Sequence, residues 1–351
     1  MAYISFNNKD FFAPKLYTGT GGGTQAQTGL GFATDMTWIK DRSSDTYAHI
    51  LTDSVRGDTK YLSPNEPDAQ GTSSTYITSL DADGFTVGSA VEVGKSGDNY
   101  VSWNWKMGTT SGITAGTITP TSYSISATAK QGIYTWTGTG ANGTIAHGLG
   151  VKPDLIIFKG IASSQWSVYS KASGATKALV FDTTAAEDTS SNFFNDTEPT
   201  DTHFTVGTNG QLNNSDDTFI AYVYCNVNGY FRTGKYYGNG NAGTTNAVDA
   251  QGGTFVHTGG KPAFLWTKRL TTTSNWYLYD NKRLGFNRKN YALFGASPSI
   301  EHTSDKIVLL SNGFKFQASD SDYNGSGNAY AYMCWMGEPL VSNNGTCGVA
   351  K

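Results

Sequence analysis

The sequence has few charged residues and few cysteines for its length. Only 15% of the 351 residues are Asp, Glu, Lys or Arg, and the formal net charge is −3. A protein that gains affinity by neutralising phosphates carries a basic surface, so nucleic acid is not an expected partner. The three cysteines, Cys225, Cys334 and Cys347, have the wrong parity for a disulfide framework and no C-x-x-C spacing. We therefore expect three free thiols and no zinc site.

Long apolar runs and helical signals are also missing. No stretch of 18 apolar residues occurs, and the beginning of the sequence lacks the basic and apolar regions of a signal peptide. These absences predict a protein that is synthesised and folded in a cytoplasm and does not insert into a membrane. Glycine, at 42 residues, and aromatic residues, at 13%, are abundant instead. Aromatic residues favour strands and glycine favours turns, so the composition predicts an all-β protein.

One pattern occurs three times along the chain. An aromatic-led turn rich in Gly, Thr and Asn, a second glycine turn and an apolar run ending in lysine begin near residues 17, 134 and 236. Four sets of anchor residues keep spacings of 119 and then 109 to 111 residues: Lys40, Lys159 and Lys268; Tyr47, Trp166 and Trp276; Phe85, Phe204 and Phe314; Tyr100, Phe219 and Tyr330. A repeat of this length is too long for a solenoid unit and is typical of whole domains in tandem.

The repeats divide the chain into three predicted domains, 1–108, 109–230 and 231–351, called unit 1, unit 2 and unit 3 below. Within each unit, short runs rich in aromatic and β-branched residues alternate with turn clusters. This pattern predicts three tandem antiparallel β-sandwich domains, jelly-roll-like and of about 110 residues each. The stretch 109–130 begins as a linker, and its end, "SYSISATA", is expected to form the first strand of unit 2.

Two strand patterns make different predictions about burial. In "YVSWNWK", Val101, Trp103 and Trp105 alternate with other residues, which predicts a half-buried strand with these three side chains on one face. The stretches "LIIF" (155–158) and "AFLW" (263–266) are apolar on both faces. They are typical of central strands that are covered on both sides.

The stretch "HGLGVKPDLIIFK" contains the best candidate for a general base, His147. In the repeat, His147 aligns with Thr28 of unit 1 and His257 of unit 3. No nucleophile or acid partner stands at a matching place, and the Gly-x-Gly precedes a strand, unlike a dinucleotide-binding loop. We interpret the stretch as the entry to a buried strand, with Gly148 and Gly150 making the turn.

The turn "DSDYNG" (320–325) matches the first half of a calcium-binding loop. The twelfth loop position, which should supply a bidentate carboxylate, is Ala331. A hairpin turn built from Asp, Asn and Gly explains the same residues without an ion. We therefore predict no metal site, with a loose surface calcium site as the alternative.

Carboxylates that could hydrolyse glycosides crowd one part of unit 1. Glu66, Asp68, Asp81 and Asp83 lie there, but turn formation explains them and nothing fixes their separation. The serine-hydrolase, zinc-protease and P-loop motifs are absent from the sequence. The sequence predicts a protein that is not an enzyme, with no catalytic residue, no cofactor and no metal.

Aromatic residues that stack on sugars are the remaining candidates. The tryptophans within strand patterns are interpreted as core residues: Trp103, Trp105, Trp266, Trp276 and Trp335. The tyrosines next to turns are better candidates for the surface: Tyr236, Tyr237 and Tyr323.

Several motifs, in order, resemble those of a known family. They include "YTGTG", "DSVRG" (53–57), "DGFTVG" (83–88), "YVSWNWKMG", "HGLGVKPDLIIFK" and "YDNKR" (279–283). The chain resembles an uncharacterised β-rich domain family that recurs, often in tandem, in virion proteins of marine tailed bacteriophages. This resemblance implies a non-enzymatic virion structural protein, first of all a tail fibre or tail appendage component that takes part in assembly or host attachment. A capsid decoration protein and a glycan-binding or depolymerising tail protein are the alternatives.

The resemblance also implies partners and a location. The expected location is the virion, and the expected partners are other tail or capsid proteins and a host surface glycan or protein. A homo-oligomer, such as a trimer, is expected because tail proteins commonly form one. Unit 3 has a longer opening loop (241–255) and lacks "FTVG", so we place a specialised binding surface there as a hypothesis.

Overall fold

The computed structural model describes residues 5–113, 116–242, 252–283, 291–303 and 307–341. These residues form antiparallel sheets with a 3-10 helix (Asn8–Asp10) and three single-turn helices, α1 (Val91–Gly94), α2 (Ser191–Phe194) and α3 (Gly210–Asn213). The predicted all-β class is confirmed. Within the described ranges, no helix has the length and apolarity needed to cross a membrane.

The strands follow the three units in order. In unit 1 they are β1 (Phe12–Thr18), β2 (Gln25–Thr28), β3 (Met36–Asp41), β4 (Ile50–Asp53), β5 (Lys60–Tyr61), β6 (Gly71–Thr72), β7 (Ile77–Asp81), β8 (Gly84–Val87) and β9 (Asn99–Trp105). In unit 2 they are β10 (Ser122–Ser126), β11 (Gln131–Thr137), β12 (Gly143–Ala146), β13 (Leu155–Gly160), β14 (Ser167–Ser170), β15 (Lys177–Val180), β16 (Asp188–Thr189), β17 (His203–Val206) and β18 (Thr218–Tyr224). In unit 3 they are β19 (Phe231–Tyr237), β20 (Phe255–His257), β21 (Gly260–Arg269), β22 (Trp276–Asp280), β23 (Leu293–Phe294), β24 (Ile307–Leu310), β25 (Gly313–Phe316) and β26 (Ala329–Pro339).

Each unit contains a large sheet with the same order of corresponding strands. The order is β1-β9-β3-β4 in unit 1, β11-β18-β13-β14 within a seven-stranded sheet of unit 2, and β19-β26-β21-β22 within a five-stranded sheet of unit 3. A smaller sheet accompanies each of them, with the orders β2-β8-β7, β12-β17 and β20-β25-β24. The strand that begins at Ser122 pairs with β11, so the linker end does form the first strand of unit 2.

A separate apolar cluster fills the space between the two sheets of each unit. The phenylalanine anchors lie in these clusters, and each ring packs against the aromatic residue at the corresponding position of the first long strand of its unit: Phe85 on Tyr17, Phe204 on Trp136 and Phe314 on Tyr236. The anchors of the repeat therefore mark the same place in all three clusters.

The opposite faces of the three large sheets meet in one shared core. Its largest side chains come from every unit: Phe12, Trp38, Trp103 and Trp105; Trp166, Phe181, Tyr222 and Tyr224; Phe231, Phe264, Trp266, Trp276 and Trp335. The ring of Phe264 stacks on Trp103 of unit 1 with 4.3 Å between centroids and lies 5.5 Å from Trp335. The five tryptophans predicted to be core residues are all buried.

The shared core changes one prediction about strands and confirms another. The stretches 155–158 and 263–266 are buried on both faces, as predicted. Strand β9 was expected to be half-buried, but its residues from Tyr100 to Trp105 are all buried. The polar side chains on its second face bond to each other instead of water, since Asn104 donates to Ser102 at 3.0 Å and accepts from Thr37 at 3.0 Å.

The strand register corrects one anchor of the repeat. Trp276 pairs with Lys268, and the β3–β4 register, continued by one residue, places His49 opposite Lys40. The anchor in unit 1 is therefore His49 and not Tyr47. The prediction is wrong by two residues because the connection between β3 and β4 is longer than its counterparts.

The register also shifts the equivalence proposed for His147. His147 lies two residues beyond the strand residue that pairs with the anchor phenylalanine, as do Thr258 in unit 3 and Gly29 in unit 1. The counterparts of His147 are therefore Thr258 and Gly29, not His257 and Thr28. In unit 1 the "GLG" turn follows the strand directly, whereas in unit 2 His147 intervenes.

Candidate functional site

A buried lysine connects each unit to a neighbouring unit. The three lysines that end the apolar runs of the repeat have no exposed surface. Their ammonium groups donate to backbone carbonyl oxygens of another unit: Lys40 to Pro298 at 2.8 Å, Lys159 to Pro67 at 3.4 Å and Lys268 to Thr184 at 3.0 Å. Unit 1 thus binds unit 3, unit 2 binds unit 1, and unit 3 binds unit 2. These three contacts, called the lysine junctions below, close a cycle.

A ring N–H accompanies the lysine in each lysine junction. It donates to a carbonyl oxygen in the same loop of the neighbouring unit, or at the end of the strand before that loop: His49 to Ser297 at 3.1 Å, Trp166 to Ser63 at 3.0 Å and Trp276 to Val180 at 3.0 Å. His49 accepts a hydrogen bond from Trp38 at Nδ1, so its proton is on Nε2. Burial holds the pKa of His49 well below its usual value, and the neutral ring replaces a tryptophan in this role.

The same loops donate hydrogen bonds in return. A loop N–H reaches the carbonyl oxygen two residues after the lysine in each lysine junction: Gln70 to Ile161 at 2.8 Å, Glu187 to Leu270 at 3.0 Å and Glu301 to Arg42 at 3.4 Å. Each lysine junction is therefore a two-way set of hydrogen bonds. Its polar groups hold the units together and are not available to a ligand.

Two lysine junctions are accompanied by a buried Asp–Arg pair. Arg56 donates from Nε to Asp53 at 2.6 Å, and Arg283 donates in the same way to Asp280 at 2.6 Å. Each arginine also donates to the carbonyl oxygen five residues before it. All four side chains are at least 97% buried, so each charged group depends on the other member of its pair for charge compensation.

Each of these aspartates also accepts a hydrogen bond from another unit. The Tyr222 hydroxyl of unit 2 donates to Asp53 at 2.8 Å, and the Trp103 indole of unit 1 donates to Asp280 at 3.4 Å. The spacing of the repeat places Tyr222 and Trp103 at corresponding positions. Unit 2 has serines in place of the pair, at 170 and 173, so the third Asp–Arg pair is not formed.

The charge state of the junction lysines depends on burial. Desolvation is the largest effect, and it lowers the pKa of Lys40, Lys159 and Lys268 from 10.5 to about 8 in each case. At neutral pH the ammonium form prevails, which suits the carbonyl oxygens around it. Among the contacts of the described residues, the acceptors of these ammonium groups are backbone carbonyl oxygens, so the geometry supports a joining role.

The stability of the protein is expected to rise between about pH 7.5 and pH 9, because each junction lysine has a lower pKa in the folded chain than in the unfolded chain. In this range the unfolded chain binds more protons, and each lysine adds up to about 1.4 kcal/mol per pH unit. Above about pH 9 the stability is expected to fall with pH, since burial raises the pKa of Cys225, Cys334 and many tyrosines.

Guanidinium unfolding at several pH values measures how the free energy of unfolding depends on pH. The variant Lys268→Met should flatten the rise, and an unchanged slope would contradict the assignment.

Both ring nitrogens of His147 bond to backbone groups. Its Nε2 donates to the Thr200 carbonyl oxygen at 3.0 Å, and its Nδ1 accepts from the Leu149 N–H at 3.1 Å. Burial lowers the pKa of the ring, so it is neutral near pH 7. Gly148 and Gly150 have φ values of 66° and 68°, which confirms that the two glycines make the turn.

The 320–325 turn directs its oxygens to protein partners and not to one point. Asp320 accepts from the Asp322 N–H at 2.8 Å, and Asp322 accepts from the Tyr277 hydroxyl at 2.9 Å. The buried Asn324 amide donates to Ala318 at 2.9 Å. In the described part of the chain, no group of three or more His, Cys, Asp or Glu side chains is placed to hold a metal ion. The turn functions as a local hydrogen-bonding unit.

The four carboxylates of unit 1 occupy two separate places. Asp83 accepts from two glycine N–H groups at 3.0 and 2.7 Å, which lowers its pKa, and Asp81 accepts from the Thr86 hydroxyl at 2.8 Å. Glu66 and Asp68 lie in the loop that contacts unit 2, where burial and then the charge of Asp68 raise the pKa of Glu66. The turn positions expected for Asp81 and Asp83 are therefore confirmed, and the structure does not bring the four together.

The surface candidates among the tyrosines divide clearly. Tyr237 is 63% exposed, whereas Tyr236 and Tyr323 are buried and the prediction for those two is wrong. Their rings pack in the cluster between the sheets of unit 3. Tyr236 is on the inward face of its strand, and Tyr323 faces the same cluster from its turn. Phe255 is 44% exposed and lies next to Thr254, whose hydroxyl donates to the Tyr237 carbonyl oxygen at 3.4 Å. Tyr237 precedes the longer opening loop and Phe255 is the last residue of that loop; the two are called the unit-3 patch below. Most of the loop (243–251) lies outside the described residues.

The remaining candidates give no site. Cys225 and Cys334 are buried free thiols, as predicted, and Cys347 lies outside the described residues. The described side chains of the shared core enclose a cavity of about 20 Å³. A single water molecule needs roughly 10–15 Å³ by this kind of measure, so the cavity is too small for a cofactor.

Sequence reasoning missed the Asp–Arg pairs and the role of the lysines. The signal was present, because "DSVRG" and "YDNKR" repeat Asp-x-x-Arg directly after corresponding strands. A charged pair three residues apart after a buried strand indicates a buried ion pair only when another unit covers it. The lysines were recognised as anchors of the repeat, but their buried state depends on loops that are distant in sequence.

No curated protein matches this chain. A family described as "Domain of unknown function (DUF7483)" matches residues 7–339. The match runs without interruption across both predicted unit boundaries, in keeping with the core that the three units share. The description names no activity, ligand or source, so a virion origin stays a prediction. The chain belongs to the DUF7483 family.

Proposed function

We propose that the chain consists of three copies of one β-sandwich unit, arranged with pseudo-three-fold symmetry around the shared core. Three observations support this arrangement: the recurring strand order, the cyclic lysine junctions and the corresponding contacts of Tyr222 and Trp103. A cycle of three equal contacts that closes on itself is the signature of point-group symmetry, here within one chain.

We further propose that the protein is a non-enzymatic structural component of a bacteriophage virion, in the first place of a tail fibre or other tail appendage. The observation that carries the proposal is the closed cycle of buried junctions, which joins the three units to each other. The three junction lysines and His49, whose pKa values are lowered by burial, are engaged in hydrogen bonds between units. The virion setting rests on the family resemblance of the motifs, and a capsid decoration role would use the same three joined units.

The proposed symmetry bears on the oligomeric state. A trimer of single-sandwich chains would need three copies to surround a three-fold axis, whereas this chain supplies all three sandwiches itself. One chain could therefore occupy a three-fold position of a particle. We propose this in place of a homotrimer as the simplest assembly.

The proposal predicts that the protein is present in intact virions and releases no product from polysaccharide. Cryo-EM of particles, with antibody labelling of the tail and capsid, tests the location. Incubation of the purified chain with host-surface polysaccharide, followed by measurement of reducing ends, tests the activity. A virion that lacks the protein would contradict the structural role, and reducing-end release above a heat-denatured control would establish the depolymerising alternative.

A glycan-binding role is the second candidate, and the unit-3 patch favours it. The spacing of the repeat puts Thr18 and Thr137 at the position of Tyr237 in the other two units. Exposed aromatic rings offer flat apolar faces, while threonine does not. Binding of polysaccharide by the wild-type chain, lost in Tyr237→Thr, would support this candidate in the same titration.

A further inference from the structure

The first long strand of each unit lies on the same side of the four corresponding strands of its large sheet. The three units differ in what covers the outward edge of this strand. In unit 2 the edge of β11 is covered by β10, with Ser122 opposite Thr135 and Ser124 opposite Ile133. The Thr121 N–H donates to the outward carbonyl oxygen of Thr135 at 2.7 Å. This edge is therefore completed by an extended segment of the chain itself.

In unit 1 the corresponding edge is blocked by proline. Pro14 of β1 is opposite Trp103, just as Ile133 of β11 is opposite Tyr222. Pro14 therefore takes the place where Ile133 faces β10. Proline has no N–H to donate, so a strand cannot continue its ladder past this residue.

In unit 3 the edge of β19 is partly open. Val227 exchanges hydrogen bonds with Phe231 at the beginning of the strand, and the Asn226 side chain accepts from the Thr233 N–H at 2.8 Å. Outward groups alternate along an antiparallel strand, so the next outward residue is Lys235. Within the part of the chain that the structure describes, the backbone N–H and C=O of Lys235 have no protein partner. The backbone from the Thr233 carbonyl to the Tyr237 N–H is called the open edge below.

The position of Lys235 corresponds to that of Thr135 in unit 2. Lys235 is opposite Ala331 in β26, one residue before the Tyr236–Tyr330 pair, and Thr135 precedes the Trp136–Phe219 pair in the same way. The open edge is therefore the place where β10 lies in unit 2. That comparison identifies an extended antiparallel strand as the kind of occupant that fits.

The charge on the strand distinguishes between possible occupants. Arg232 and Lys235 are exposed and both are cationic. Two β19 strands from two copies of the chain, paired with Lys235 opposite Lys235, would bring two cations together, and like charges on facing strands are destabilising. An acidic side chain opposite Lys235 gains a favourable cross-strand pair instead.

We propose that the open edge of β19 binds an extended, acidic segment of a partner polypeptide by antiparallel strand addition. Main-chain hydrogen bonds to Lys235 supply affinity, and the charges of Arg232 and Lys235 select the partner. The open edge is present whatever the function of the protein, so the binding experiment below is independent of the tests of the proposed function.

A peptide copied from this chain is the probe. It spans residues 119–128, which include β10, and carries Ser122→Glu, so that the glutamate is opposite Lys235. We expect saturable binding by fluorescence anisotropy and slower hydrogen exchange at the amides of Lys235 and Tyr237. The peptide with the native Ser122 should bind more weakly, by roughly two- to fivefold, the size of a cross-strand charge pair.

Two variants of the protein test the contact. Lys235→Pro removes the outward N–H, as Pro14 does in unit 1, and should lower peptide affinity by at least about tenfold. Lys235→Glu keeps the backbone intact and should reduce binding of the acidic peptide by roughly two- to fivefold or more. Lys60→Glu, at an exposed lysine of unit 1, makes the same charge change elsewhere and should leave binding unchanged.

Three results would overturn the proposal. The first is no saturable binding to the wild-type chain, and the second is equal binding to wild type and Lys235→Glu. The third is hydrogen exchange at the open edge that becomes slower with increasing protein concentration in the absence of peptide. That result would identify a second copy of the chain as the occupant. Exchange changes at Thr135 in place of Tyr237 would also count against the proposal, because the peptide would then be displacing β10.

Discussion

Replacement of Phe264 by alanine is expected to lower the free energy of unfolding of the whole chain by about 3–5 kcal/mol, the usual cost of removing a fully buried aromatic ring. Phe264 has no exposed surface, and its ring contacts Trp103 of unit 1 and Trp335 of unit 3. The loss should appear in one cooperative transition, because the ring belongs to the core that all three units share. Calorimetry and guanidinium unfolding followed by tryptophan fluorescence measure it.

The matched control is Phe314→Ala. Phe314 is equally buried, but it lies in the cluster between the two sheets of unit 3. If the three units unfold together, both variants shift the same single transition by similar amounts. A wild-type chain that unfolds in separate steps, with Phe314→Ala moving only one of them, would contradict the shared core as the basis of stability.

Removal of one member of the Asp280–Arg283 pair is expected to cost about 3–5 kcal/mol, because the other charge is left in the interior. In Asp280→Ser, Arg283 loses its 2.6 Å partner and, among the described residues, retains Glu301 as an acidic contact. The Trp103 indole loses its acceptor at the same time. Urea unfolding of the single variants gives the two costs.

Unit 2 shows what the double variant should do. It has Ser170 and Ser173 where unit 3 has Asp280 and Arg283, so the fold accommodates two serines there. We expect Asp280→Ser combined with Arg283→Ser to cost much less than the sum of the single changes, with a coupling of about 1–3 kcal/mol. Additive costs would mean that the pair does not act as a unit. Asp83→Ser, at an exposed turn carboxylate, is the control and should lower the free energy of unfolding by less than either single variant of the pair.

The part of the fold that the sequence predicts is the part that depends on local pattern. Glycine turns, apolar runs and the phenylalanine anchors recur because the large sheets share the order of four strands. For that reason the all-β class, the strand at Ser122 and the two-sided burial of 155–158 could be inferred. The Tyr47 and His147 equivalences are wrong by one or two residues, since strand pairing and not sequence spacing determines which residues correspond.

The shared core could not be inferred from the same patterns. In "YVSWNWK" the alternation distinguishes two faces but does not say whether water or other side chains meet the second one. The Ser102 and Asn104 face is polar and nevertheless buried, because its side chains bond to each other. The burial of the junction lysines could not be predicted either. A charged residue at a strand end predicts exposure, and only the carbonyl oxygens of another unit explain why Lys40 is buried.

The sequence predicted that His147 lies at the entry to a buried strand, but it did not predict the lysine junctions. The sequence contains no complete catalytic motif, and the structure gives His147 a partner set made of backbone groups. Tyr237 could be identified as a surface residue from its turn, whereas Tyr236, its neighbour in the strand, faces the opposite way. The open edge of β19 required the pairing of β10 with β11 as a comparison, which only the structure provides.

The cyclic contacts have a consequence for synthesis of the chain. Lys40 meets Pro298, which is 258 residues later, so the last junction cannot form until most of the chain has left the ribosome. At roughly 5–20 residues per second this takes about 13–50 s. During that time the aromatic face of unit 1, with Trp38, Trp103 and Trp105, is not yet covered by unit 3. The nascent chain should therefore depend on chaperones that bind exposed aromatic surface, and slow translation of unit 3 should increase its aggregation.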